Sequence, residues 1–134
     1  MTSTPLDGAS ARVTLSILVL AAGFVVAGAL HLVKPAPYIR IVPPWLPAPA
    51  LLVLVSGLAE IAGGVGLLLP RTRAAAGWGL IALLGAVFPA NVQMLLDAVS
   101  HHASRGWIAA LVARLPLQVV LIWWVWRAAV RQAP

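Results

Sequence analysis

The sequence contains no cysteine and very little charge. Only 9% of its 134 residues are Asp, Glu, Lys or Arg, and only three of these are acidic. The missing thiols exclude disulfides, thiol redox chemistry and Cys-ligated metal centres within this chain. With 62% hydrophobic residues and a mean hydropathy of +1.00, the chain has too little polar surface for a soluble globular domain. These features predict an integral membrane protein.

Four apolar stretches are long enough to cross a hydrocarbon core, which requires about 20 residues in helical conformation. They predict an all-α fold, a four-helix transmembrane bundle that forms a single membrane domain over residues 13–130. The tails are residues 1–12 and 131–134. The predicted spans are about 13–33, 50–69, 74–96 and 107–126. The short connection 70–73 makes the second and third spans antiparallel neighbours.

The first two spans are joined by a long proline-rich loop, residues 34–49. Six of its sixteen residues are proline, a density that predicts neither helix nor sheet and favours extended or turn conformations. Apolar residues such as Tyr38 and Trp45 are interspersed, so we expect the loop to cover the bundle at the membrane surface. A stiff connector without that role is the alternative. The end of the bundle that carries this loop is called the outer end below.

The distribution of Lys and Arg predicts the topology. Five of them flank the inner ends of the spans, whereas three lie at the outer end. This difference predicts that both termini are cytoplasmic, in a multi-pass protein of a bacterial cytoplasmic (inner) membrane. The net charge of +6 is scattered over the loop ends, which is typical of interfacial anchors on the lipid bilayer and not of a nucleic-acid-binding face.

Polar side chains recur within the apolar spans. Ionisable groups at bilayer depth are costly, so they normally face a protein interior or a water-filled cavity. At the helical rise all of them fall in the outer half of the bundle. With Trp45 from the loop, they form the predicted ligand-binding set: His31, Glu60, Asn91, Arg114 and Gln118.

Two interpretations of this cluster remain open. Glu60 is the only acid in a span core and Arg114 the only strong base, so we expect the two to pair directly or through Asn91, Gln118 or water. The cluster could be a polar lock between helices that binds nothing. It could instead line an outward-opening pocket, floored by small residues such as Gly57 and Gly64 and covered by the loop around Pro44 and Trp45.

Several ordered motifs resemble the DoxX-like small membrane proteins over about residues 15–127. The motifs are 31–35 (HLVKP), 40–47 (RIVPPWLP), 56–64 (SGLAEIAGG), 69–73 (LPRTR), 88–91 (FPAN) and 114–118 (RLPLQ). The resemblance implies a four-helix membrane bundle. It also implies an association with quinone-linked or other membrane redox complexes.

Three classes of function follow from these observations. The first is a binding or accessory subunit of a membrane complex that holds a quinone or a lipid. The second is a membrane enzyme that uses Glu60 as acid or base and Arg114 as anion stabiliser, and the third is a dimeric transporter or proton conduit. A quinone is the one cofactor considered, and no metal site is expected because no His or Cys partner lies at ligand spacing within the spans. The expected partners are the bilayer, a membrane redox complex or a second copy of the chain.

Overall fold

The computed structural model describes residues 13–132, and this part of the chain contains helices and no strand. The long helices are α1 (Leu15–Val33), α3 (Pro49–Leu68), α4 (Arg73–Ser100) and α5 (Arg105–Val125). A short helix, α2 (Ala36–Arg40), lies between α1 and α3, and a π-helical segment (Trp126–Val130) continues α5. The four long helices are long and apolar enough to span a membrane. The predicted all-α four-helix bundle is confirmed, and the chain is a multi-pass membrane protein.

Two helices are longer than the predicted spans. Helix α4 continues to Ser100, beyond residue 96, and α5 begins at Arg105 and extends through the π segment to Val130. Pro89 and Pro116 lie inside these helices without ending them. Transmembrane helices tolerate internal proline because neighbouring helices can satisfy the backbone groups that it frees.

The prediction that the proline-rich loop contains no helix is wrong for residues 36–40. Helix α2 follows Pro35 and contains Pro37 within its first turn. Proline is tolerated there because the first N–H groups of a helix have no intrahelical acceptor. For the same reason Pro49 begins α3, after Ala48 in a left-handed conformation with φ of 48°.

Glycine allows the closest helix packing in the bundle, between α1 and α3. A Cβ atom on Gly28 would collide with the backbone carbonyl of Gly57, and one on Gly57 would lie 2.8 Å from Cβ of His31. A Cβ atom on Gly64 would lie 2.9 Å from the Ala21 carbonyl oxygen. Glycines on the two helices thus allow their backbones to come into contact, as in other transmembrane pairs.

The turn between α3 and α4 is closed by two side chains. Thr72 Oγ1 donates to the Gly66 carbonyl over 2.9 Å, and Arg73 Nε donates to the Leu67 carbonyl over 2.8 Å. These bonds satisfy carbonyls at the C-terminal end of α3, which have no intrahelical donor. Arg73 is only 3% exposed, so this cation belongs to the protein interior.

The apolar core lies in the inner half of the bundle. Helix α4 packs on α3 and on α5, and the π segment packs on α4 and contacts α1. The core residues come from α1, α3, α4, α5 and the π segment, and include Ile17, Leu20, Phe24, Leu67, Leu80, Val125 and Ala129. These core residues lie towards the helix ends opposite the proline-rich loop. The polar residues within the spans lie in the other, outer half.

Candidate functional site in the outer half of the bundle

A cavity of about 600 Å³ lies among the four long helices beneath the proline-rich loop, and it is partly open to the surroundings. Its volume falls within the range of small-molecule sites. Most of the wall is apolar. The structure brings five of the six predicted site residues to this wall, namely His31, Glu60, Asn91, Arg114 and Gln118.

His31 and Glu60 are in direct polar contact between α1 and α3, and this contact is an ion pair when His31 is protonated. The Nδ1 atom of His31 lies 3.1 Å from Oε2 of Glu60 and 2.8 Å from the Ala27 carbonyl oxygen. The imidazole Nδ1 carries at most one hydrogen, which here points to the Ala27 carbonyl, so Oε2 of Glu60 accepts no hydrogen bond. The contact between His31 and Glu60 is therefore electrostatic.

The close packing of α1 and α3 explains this pair. A Cβ atom on Gly57 would meet His31, and one on Gly28 would lie 3.0 Å from Cβ of Glu60. Each ionisable residue therefore lies against a glycine of the opposite helix. Because both glycines lack a side chain, His31 and Glu60 can reach each other.

Tyr38 of α2 completes the arrangement around His31. The two rings are stacked, with centroids 3.9 Å apart and an interplanar angle of 24°. Tyr38 is the only tyrosine in the chain and also lines the cavity. His31 thus holds the proline-rich loop to the outer end of the bundle.

Asn91 and Gln118 form a hydrogen-bonded pair between α4 and α5. Nδ2 of Asn91 donates to Oε1 of Gln118 over 2.6 Å, and Nε2 of Gln118 donates to the Leu84 carbonyl. Both side chains are buried. The Leu84 carbonyl is next to that of Gly85, whose intrahelical donor is missing because Pro89 has no N–H. These two residues behave as the predicted polar lock.

Arg114 lies on the same wall but is exposed and weakly bound. Its side-chain hydrogen bond within residues 13–132 runs from Nη1 to Sδ of Met94, over 3.9 Å. A thioether is a weak acceptor, and a guanidinium has five N–H donors. Most of the donor capacity of Arg114 is therefore left for another molecule.

The predicted direct pair of Glu60 and Arg114 is wrong. The ion pair within the described residues is that of Glu60 with His31, and no oxygen of Glu60 lies within 4 Å of an Arg114 nitrogen. Depth and charge alone favoured Arg114 as the partner. Glu60 contacts His31 instead, because the close approach of α1 and α3 brings these two side chains together.

Other parts of the predicted pocket are placed differently. Trp45 is 69% exposed and lies outside the wall, as does Pro44. The loop covers the cavity with Pro43, which is buried, and with Leu46. Gly57 and Gly64 are buried between α1 and α3 and do not form its floor. Pro43 and Leu46, which flank Pro44 and Trp45 in the sequence, take the position predicted for these two residues.

Sequence reasoning missed several residues of the wall. The contact of Tyr38 with His31 could have been predicted, because an aromatic ring seven residues after a histidine can fold back onto it. Trp124 lies near the end of α5, where a tryptophan is typical of the aromatic belt at a membrane interface, yet it lines the apolar, inner part of the cavity. Its neighbour Trp123 is exposed, as a residue of such a belt would be.

The groups on the wall suit an organic molecule better than a metal ion. Within residues 13–132, no three His, Cys, Asp or Glu side chains come together. The wall instead offers a guanidinium, a carboxylate paired with an imidazole, and two amides, in an apolar surround. Convergent hydrogen-bonding groups in an apolar cavity are the usual form of a small-molecule site.

Comparisons with known proteins identify a family without a known activity. No curated protein and no solved structure matches the chain. One family matches residues 20–129, a range that begins in α1 and ends in the π segment and so includes all four long helices and the cavity. The chain belongs to this family, which is described as a domain of unknown function, DUF8561.

Proposed function

We propose that this protein binds a small amphipathic molecule, a quinone or a lipid, in the outer-half cavity, and acts as a binding or accessory subunit of a membrane complex. The observation that carries the proposal is the cavity itself, with polar groups at one end of an apolar wall. A dry polar lock would leave no such space. Only Asn91 and Gln118 satisfy each other in the manner of a lock.

The other two classes of function have less support. An enzyme that uses Glu60 with Arg114 would need the two groups to act on one substrate, and Glu60 is held by His31 instead. A transporter or proton conduit would need a polar path across the membrane, whereas the residues that line the inner half of the bundle are apolar. Both therefore remain predictions from the sequence.

The cellular setting is part of the same proposal. The DoxX-like resemblance and the distribution of Lys and Arg favour a bacterial cytoplasmic membrane with both termini in the cytoplasm. In that orientation the polar end of the cavity lies in the outer leaflet. A quinone or lipid of that leaflet would reach it by lateral diffusion, and association with a membrane redox complex is proposed on the resemblance alone.

Filling the cavity is the direct test. A Cβ atom on Gly23 meets nothing within 4 Å, and Gly23 lines the cavity, so Gly23→Leu adds side-chain volume at the cavity wall. Gly79 also has free space but lies outside the wall, which makes Gly79→Leu the matched control. The proteins are extracted with native lipid in polymer discs, and bound organic molecules are identified by mass spectrometry.

We expect one class of quinone or lipid to be enriched with the wild-type protein and with Gly79→Leu. Its amount should fall at least about fivefold with Gly23→Leu, because the added side chain occupies the binding volume. An identical set of bound molecules in all three preparations would contradict the proposal, provided that circular dichroism shows all three to be folded.

A further inference from the structure

We infer that the ligand of this cavity carries an anionic head group, a carboxylate or a phosphate, which Arg114 binds while an apolar chain extends towards the inner end. This inference rests on the proposed function and narrows it to anionic amphiphiles. It differs from the quinone alternative, because a quinone head is neutral.

Arg114 carries a permanent positive charge. A guanidinium stays protonated in proteins, so this side chain brings a full positive charge to the outer half of the bundle. Arg114 lies nine residues after Arg105, the first residue of α5, which corresponds to about 13 Å along the helix. A cation at that depth normally has a counter-charge or an aqueous surround. The thioether of Met94 supplies neither.

The carboxylates of the described residues have partners other than Arg114. Glu60 pairs with His31, and Asp97 accepts a hydrogen bond of 2.8 Å from Gln93. Neither carboxylate pairs with Arg114, and the positive charge of this guanidinium therefore favours an anion.

The polarity of the cavity wall changes along the membrane normal. The polar residues lie towards the outer end, whereas the inner part of the wall is apolar and includes Val19, Leu20, Phe24, Leu121 and Trp124. Twelve residues separate Val19 from His31, so the wall extends about 18 Å along α1. A single apolar chain fits this shape with its head near Arg114. Phosphate and carboxylate are the groups that a guanidinium binds with paired hydrogen bonds.

Three photoreactive probes with the same 16-carbon chain test the inference. They are a diazirine-bearing hexadecanoic acid, the corresponding hexadecyl phosphate and the corresponding hexadecanol. Each is added to the full-length protein in lipid nanodiscs, and adducts are mapped by peptide mass spectrometry. The acid and the phosphate distinguish a carboxylate head from a phosphate head, and the alcohol reports binding of the chain without a charge.

We expect at least one anionic probe to label cavity residues about tenfold more efficiently than the alcohol. This ratio corresponds to about 1.4 kcal/mol. Arg114→Gln should lower labelling by that anionic probe to the level of the alcohol and leave labelling by the alcohol unchanged. Arg105→Gln, the same change at an exposed arginine that begins α5, should leave the preference for the anion intact.

The outcomes separate this inference from the proposed function. Equal labelling of the cavity by all three probes would overturn the anionic head group while supporting an amphipathic ligand. Labelling that prefers an anion equally in wild type and Arg114→Gln would show that Arg114 reaches outward to the lipid head groups, and would also overturn the inference. If no probe labels the cavity in wild type, the inference is overturned, and the proposed function fails as well if Gly23→Leu leaves the set of co-purified molecules unchanged.

Discussion

Nδ1 of His31 lies 3.1 Å from Oε2 of Glu60, and this contact joins α1 to α3 at the mouth of the cavity. The same imidazole stacks on Tyr38 of the proline-rich loop. One side chain therefore connects two transmembrane helices with the segment that covers them. The charge of Arg114 is left on the opposite side of the cavity, on α5.

Double-mutant cycles should assign Glu60 to His31. We expect Glu60→Gln and His31→Gln to be coupled by about 0.5–2 kcal/mol, because residues in contact are not energetically independent. The coupling between Glu60→Gln and Arg114→Gln should be smaller, since these side chains make no direct contact. The free energy of unfolding is measured by circular dichroism in mixed micelles with increasing SDS. A larger coupling for Glu60 with Arg114 would contradict the structure.

The pair of Asn91 and Gln118 should contribute to the stability of the bundle. Gln118→Leu removes two hydrogen bonds and leaves the amide of Asn91 buried without its partner, which should cost about 1–3 kcal/mol. The double variant Asn91→Leu with Gln118→Leu should cost less than the sum of the two single changes, because no amide is then left unpaired. Additive costs in the same unfolding measurement would exclude the predicted lock.

The contact between Gly28 and Gly57 predicts a sharp difference between two glycine substitutions. Gly28→Ala should destabilise the bundle by about 1–3 kcal/mol, because its Cβ atom would overlap the Gly57 backbone carbonyl. Gly79→Ala meets open space and should be neutral or stabilising by up to about 1 kcal/mol, through helix propensity. Equal effects on unfolding would show that α1 and α3 do not pack as closely as described.

The absence of cysteine makes the topology directly measurable. His102→Cys introduces a single thiol between α4 and α5, and Arg71→Cys introduces one between α3 and α4. Both positions are exposed. If the termini are cytoplasmic, a membrane-impermeant maleimide should label intact bacterial cells only for His102→Cys. It should label Arg71→Cys only after permeabilisation, and the reverse pattern would invert the topology.

The number and order of the helices could be predicted because they depend on local sequence. Burying an apolar stretch of about 20 residues in lipid is favourable whatever surrounds it, so each span is recognisable by itself. Proline was the exception. Proline destabilises the interior of a helix but is tolerated in its first turn. The proline-rich loop, for which no helix was predicted, therefore contains α2.

The sequence alone determined the depth and the helical face of the polar residues, because both follow from the rise and the period of a helix. It thereby predicted that His31, Glu60, Asn91, Arg114 and Gln118 would lie near one another in the outer half. Only the tertiary structure decided which of them touch. The contacts between side chains depend on the distance between their helices. The glycine contact between α1 and α3 brings Glu60 to His31. Arg114, on α5, is left facing the cavity.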